Sequence, residues 1–352
     1  MTQAMSPPTP AHGQARANPG LVELTRGGRI ESAHRGAFAI VTAAGDVVAS
    51  CGDIDRPVFV RSAAKPLQAL ALVETGAADA AGLTPVELAL ACGSHGGEPC
   101  HVGCAAAWLG RLGLDESALV CGPHPPLDPQ AAADLVRAGK PPTPIHNNCS
   151  GKHAGFLTVA RHLGFSLAGY GDPDHRLQRR VRRDVEELGE VRLGEDMVGV
   201  DGCGVAAFAV PLRALALAFA RLARPNGLPP RRAEAASRLI SAMSAHPGMV
   251  AGRGRFDTAA IRASAGRIVS KGGAEGVHAA ALTDAGLGVA LKIDDGGKRA
   301  SEAAMAALLL AYAGADAATR SCLGGYARQI LRNTAGAAVG ELRPAAGWLP
   351  GP

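Results

Sequence analysis

The residues best suited to chemistry in this chain are serines that stand close to lysines. Ser62-Ala63-Ala64-Lys65 lies where a strand pattern gives way to a helical one. Three residues along a helix bring two side chains to one face, so Lys65 can reach Ser62. A serine hydroxyl is a poor nucleophile until a base takes its proton. A lysine can be that base only when burial or a neighbouring cation lowers its pKa. Arg61 is adjacent and can help supply that cation, and a helix start favours negative charge developing at Ser62. With 15 serines and six lysines in the chain, about 0.3 such matches are expected by chance. A serine capping a surface helix would be spelled the same way.

Two further elements carry the same residue types. Ser94 sits in a glycine-rich turn, Cys92-Gly93-Ser94-His95-Gly96-Gly97, where backbone N–H groups can approach a ligand. Ser270-Lys271-Gly272-Gly273 ends a strand pattern and resembles the Lys-Thr-Gly element of penicillin-recognising enzymes, which also carry Ser-x-x-Lys near a helix start. Read alone, the first is an ordinary loop serine and the second a hairpin lysine in solvent.

A second chemistry is spelled by His146-Asn147-Asn148-Cys149-Ser150-Gly151-Lys152-His153 and, about fifty residues later, Asp201-Gly202-Cys203-Gly204. The Gly-Lys pair is not a phosphate-binding loop, because His153 stands where Ser or Thr is required. Cys149, Lys152 and Cys203 could converge instead. Thiolates are soft ligands suited to zinc, whereas a lysine ligates only when neutral. His153 is the more conventional ligand, and plain buried cysteines are the alternative.

The elements that must position these groups follow from periodicity. Leu21–Leu24, Ile30–His34, Ala37–Thr42 and Val47–Cys51 read as short strands, and Ser62–Thr75 as a helix stopped by Gly76. Helices are expected at Pro85–Ala91, Glu98–Leu112, Gly151–Leu163 and Asp172–Leu188, near 212–223 and 231–245, and at Lys298–Ala313. The Pro-rich stretch 122–144 reads as a loop, Met197–Val200 as a buried strand and Val205–Val210 as another. Arg267–Ser270, Val277–Leu282 and Leu287–Ile293 close the strand set, the last two as a hairpin. No repeat or linker divides the chain. The expectation is a disordered tail over 1–18 and one α/β unit over 19–352 with an antiparallel sheet.

Composition narrows the class of protein. The chain is 47% hydrophobic but only 3% aromatic, so a large core must be built from small aliphatic side chains. The net charge of +5 is spread among acids and apolar residues, without the basic stripe and aromatic interleaving of a nucleic-acid surface. No apolar run is long enough to span a bilayer, and 1–19 lacks a signal-peptide core. Eight cysteines in so long a chain form no compact disulfide pattern. A soluble, reducing, cytoplasmic setting follows, with no membrane partner.

Val60-Arg61-Ser62-Ala63-Ala64-Lys65-Pro66, Cys92-Gly93-Ser94-His95, Asn148-Cys149-Ser150-Gly151-Lys152-His153, Asp201-Gly202-Cys203 and Lys271-Gly272-Gly273 occur in this order. Together they resemble the asparaginase II family of rhizobial-type asparaginases. The resemblance implies a fold like the serine β-lactamases and penicillin-binding proteins, usually as a homodimer. It implies catalytic pairs Ser62–Lys65 and Ser94–Lys271, and one zinc ion held by Cys149, Lys152 and Cys203. The small-molecule substrate would then be L-asparagine, with Arg61, Asp201 and His153 as substrate-binding candidates and Asp201 facing the amino group. Other Ser-x-x-Lys amidohydrolases, such as a glutaminase or a β-lactamase-like enzyme, are a second reading. A non-catalytic, zinc-stabilised amino-acid-binding protein is a third.

Overall fold

The computed structural model describes residues 17–349. Eleven strands run in chain order: β1 Gly20–Arg26, β2 Arg29–Thr42, β3 Val47–Cys51, β4 Pro57–Phe59, β5 Val198–Val200, β6 Ala206–Pro211, β7 Ile268–Gly272, β8 Val277–Leu282, β9 Leu287–Ile293, β10 Gln329–Arg332 and β11 Ala338–Pro344. The main sheet has the order β10-β11-β1-β2-β9-β8-β7, with β3 also on β2, and a small sheet has the order β4-β6-β5. All pairings are antiparallel. The result is the expected α/β class, an antiparallel sheet flanked by helices.

Side-chain alternation along β2 explains the layers. Ala37, Ala39 and Val41 point into one core, while Phe38 and Ile40 point into a second core on the opposite face. Helix Leu212–Ala223 lies over the first face. That face is lined with small residues, including Ala39, Ala279, Ala281 and Ala290, which let the helix come close. The approach is closest at Gly288, where a Cβ would stand 1.9 Å from the carbonyl oxygen of Ala216. Helix Lys298–Tyr312 covers the other face, burying Ala303, Leu308 and Leu309 against Leu291 and Val289. Each such fully buried leucine contributes about 1.5–3 kcal/mol. This is how a chain poor in aromatics fills a core.

Several expectations change. Ile30–His34 and Ala37–Thr42 are one strand, β2: at Gly36 the antiparallel partner β9 comes alongside, so close that any Cβ would meet the carbonyl oxygen of Lys292 at 2.3 Å. Ser62–Thr75 is not one helix. It opens as a 3-10 turn, Arg61–Ala64, and continues as two short helices, Lys65–Gln68 and Leu70–Glu74. β5 is not buried: it lies at the edge of the small sheet, with Val200 67% exposed. Helix Pro129–Arg137 interrupts the expected loop, started by an Asp128 side chain that accepts from Ala131 N–H. Helices Phe256–Ala263 and Ala317–Ala327, and the strands β10 and β11, have no counterpart in the sequence reading, whereas β4 is the strand expected just before Ser62. Residues 1–16 of the expected tail lie outside the described residues. Asn18, at its end, is buried, with its amide on Asp294 at 2.9 Å and its oxygen on Asp53 N–H at 2.8 Å. Among the described residues no helix is long and apolar enough to cross a membrane.

Candidate active site

Ser62 stands in the 3-10 turn that follows β4. Arg61, just before it, has φ +46°, a left-handed conformation that costs a non-glycine residue roughly 1–3 kcal/mol. Its side chain is clamped by Asp201, whose Oδ1 accepts from Nε at 3.0 Å and Nη2 at 2.8 Å. The same oxygen accepts from Gly202 N–H at 2.7 Å. Arg61 and Asp201 therefore satisfy each other across the small sheet and hold the turn. Ser62 lines a cavity of about 530 Å³; Arg61, Asp201 and His153 do not.

Ser94 lines the same cavity. Its turn is held by His95, whose Nδ1 accepts from Gly97 N–H at 3.1 Å and whose Nε2 meets Ser150 Oγ at 2.9 Å. The two lysines lie beneath the serines, both fully buried. Lys271 Nζ donates to Ser94 Oγ at 2.9 Å and to its neighbour's carbonyl, Gly272 O, at 2.6 Å. Burial pulls the Lys271 pKa down to about 7; the positive charges of Lys65 and Arg255 reinforce this, and Asp257 opposes it. Lys65 Nζ donates to Gly93 O at 2.5 Å and Asn148 O at 3.3 Å, rather than resting on Ser62. Its pKa is also lowered, chiefly by burial. Gly273 packs the end of β7 against the Ser62 turn: a Cβ there would stand 3.1 Å from Ala63 N and Val60 O. The structure thus brings Ser62, Lys65, Ser94 and Lys271 to one place.

A buried carboxylate in this site was missed by the sequence reading. Asp257, in the first turn of helix Phe256–Ala263, accepts from Ser270 Oγ at 2.7 Å and from Gly272 N–H at 3.1 and 3.0 Å. It also lies 2.9 Å from His278 Nε2. Burial would raise its pKa, but the bonds from His278 and Gly272 and the charge of Lys271 hold it well below the usual carboxylate range. Asp257 and His278 both line the cavity. The signal available was an acid near a helix start, in a segment whose helix is short and weakly patterned.

Cys149, Lys152 and Cys203 also converge, all buried. Cys149 and Lys152 come from the start of helix Ser150–His162, and Cys203 from the turn between β5 and β6. Lys152 Nζ donates to Cys203 Sγ at 3.0 Å. Cys149 is pulled well below the ordinary thiol range by its hydrogen bond with Cys203 and by the Lys65 and Lys152 charges, against burial. The same hydrogen bond and burial push Cys203 the other way, and the charge of the two sulfurs raises the Lys152 pKa against burial. Among the described residues no three His, Cys, Asp or Glu side chains cluster as a metal site. A zinc ion here would need Lys152 as its third protein donor. Two soft sulfurs and, once Lys152 sheds its proton, an amine make a desolvated donor set for that ion, with Lys152 and Cys203 already in contact. His153 is turned elsewhere, with Nδ1 on the Tyr170 hydroxyl at 2.6 Å and Nε2 buried with no partner among the described residues.

No curated protein matches the chain. Among solved structures it is similar to a β-lactamase from Mycobacterium bovis, at 17% identity over 83% of this chain and 94% of that one, with a TM-score of 0.40. Mglu in its native form is 17% identical over 83% of this chain and 63% of that one, TM-score 0.42. Simvastatin synthase from Aspergillus terreus is 13% identical over 74% and 86%, TM-score 0.37. Likenesses of this size carry no weight for activity. The family match is of another order: it runs from Val22 in β1 to Pro344 at the end of β11, taking in every serine, lysine and cysteine described above, and on it the chain belongs to the L-asparaginase II family.

Proposed function

We propose that this amidohydrolase converts L-asparagine to L-aspartate and ammonia through an acyl-enzyme on Ser62. The observation that carries the reading is the Lys271–Ser94 bond of 2.9 Å beside the cavity that Ser62 also lines. Two desolvated lysines near two serines supply what a hydroxyl nucleophile lacks, an amine that is neutral near working pH. With Lys65 in its neutral form, both of its N–H bonds are taken by Gly93 O and Asn148 O, leaving its lone pair for the Ser62 proton. Ser62 Oγ attacks the side-chain amide carbon as that proton moves to Lys65. The proton passes to the amide nitrogen as the C–N bond breaks, and ammonia leaves. Water then cleaves the ester, releasing L-aspartate and restoring the Ser62 hydroxyl. Ser94 and Lys271 relay protons between the two steps.

Cys149, Lys152 and Cys203 would hold one zinc ion, which when bound supplies positive potential beside Lys65. A cytoplasmic homodimer is the setting this reading carries with it. The test is ammonia release by the purified protein from L-asparagine, L-glutamine and D-asparagine. Turnover of glutamine alone would make the protein a glutaminase. Binding without any ammonia would leave an amino-acid-binding protein.

A further inference from the structure

Three cations line the cavity: Arg253, Arg255 and Lys298. Two are matched by acids. Arg253 Nη2 stands 3.6 Å from Glu98 and 3.5 Å from Asp128, and Lys298 Nζ stands 3.6 Å from Glu302. Arg255 differs. Among the described residues it forms no ion pair, and its one side-chain bond is from Nη1 to the carbonyl oxygen of Ser94 at 3.3 Å. A guanidinium has five N–H donors in a planar fork, so most of this one is uncommitted. It is half-buried, which weakens its competition from water. Its backbone is fixed, because Arg255 leads directly into helix Phe256–Ala263, whose Asp257 is tied to β7 by Ser270 and Gly272.

We infer that Arg255 is the specificity-determining anchor for the α-carboxylate of the substrate, gripping it beside the serine pair. This rests on the reading of the chain as an L-asparagine hydrolase. The chemistry follows from the place. A carboxylate matches the guanidinium fork in two parallel hydrogen bonds. L-asparagine carries its carboxylate only a short span from its side-chain amide, so an anchor bonded to the backbone of Ser94 is at the right scale. Arg61 is less suited, since Asp201 already occupies it and it does not line the cavity.

Steady-state kinetics of ammonia release from L-asparagine and from L-asparagine methyl ester, whose α-carboxylate is masked, test the anchor. Arg255→Gln should raise KM for L-asparagine about tenfold to a hundredfold, with a smaller change in kcat, and leave KM for the ester unchanged. Arg255→Lys keeps the charge but not the fork and should fall between. An equal rise in both KM values, or none for L-asparagine, overturns the anchor. Wild-type protein that releases no ammonia from L-asparagine sinks the proposed activity instead. Calorimetric titration of wild type and Arg255→Gln with L-aspartate then decides the anchor without turnover: weaker binding by the variant supports it, and equal binding overturns it.

Discussion

Lys271 reaches Ser94 with a hydrogen bond of 2.9 Å across 177 positions of sequence. The bond joins the end of β7 to the glycine-rich turn and puts a desolvated amine at a cavity-lining hydroxyl. Removing either partner removes the same function, and effects of residues acting as a unit do not add. Ser94→Ala, Lys271→Ala and the double variant should lose turnover to a similar extent, as should Ser62→Ala, Lys65→Ala and their double. Independent, additive losses in ammonia release would separate the partners.

Activity should rise with pH through about 7. Lys271 holds a proton below that value and loses it above, because burial and neighbouring cations disfavour the ammonium. The neutral amine is the form that accepts a proton, so the limb rises toward alkaline pH. A pH profile of kcat/KM checks this, and a flat profile between pH 6 and 9, roughly the span a group titrating there covers, would remove Lys271 from proton transfer.

Asp257→Asn should move that limb to lower pH. The carboxylate raises the Lys271 pKa, and an amide keeps its shape without its charge. The variant also weakens bonds from Ser270 Oγ and Gly272 N–H to a buried acceptor, at a cost of about 1–3 kcal/mol. Urea unfolding reads the second effect and the pH profile the first. Destabilisation with an unmoved limb would make Asp257 a packing residue only.

Zinc is expected near one ion per chain. Cys149→Ala and Cys203→Ala should each abolish it, as measured by metal analysis of purified protein without reference to activity. Binding should weaken in acid, because any proton on Cys149, Cys203 or Lys152 must leave before sulfur or nitrogen can ligate. A metal-free wild type with full activity would show the two cysteines to be core residues.

Arg232→Met should destabilise the fold by about 3 kcal/mol. Arg232 Nη2 bonds the fully buried Asp184 at 2.8 Å, and Nε bonds Glu74 at 3.2 Å. Arg180 Nε still reaches Asp184 at 3.0 Å, which keeps the loss at the lower end for a broken buried pair. Urea unfolding measures it, with turnover well below the transition unchanged.

Residue type and local spacing told much of this protein from the sequence alone. Ser62–Lys65, the glycine-rich turn around Ser94 and the strand ending in Lys271 were all legible, as were most helices, because each depends on periodicity within one element. The burden on small aliphatic residues was legible in the composition. Tertiary structure decided what those groups touch. Lys65 sits near Ser62 in sequence, yet its amine is drawn to the carbonyls of Gly93 and Asn148, which arrive on other segments. Ser270 and Lys271 alternate along β7, so one must turn from the other. Both positions are buried, and no apolar–polar contrast in sequence says which one faces the serines. The packing answers it: helix Phe256–Ala263 brings Asp257 to the Ser270 side, and Lys271 is left facing Ser94.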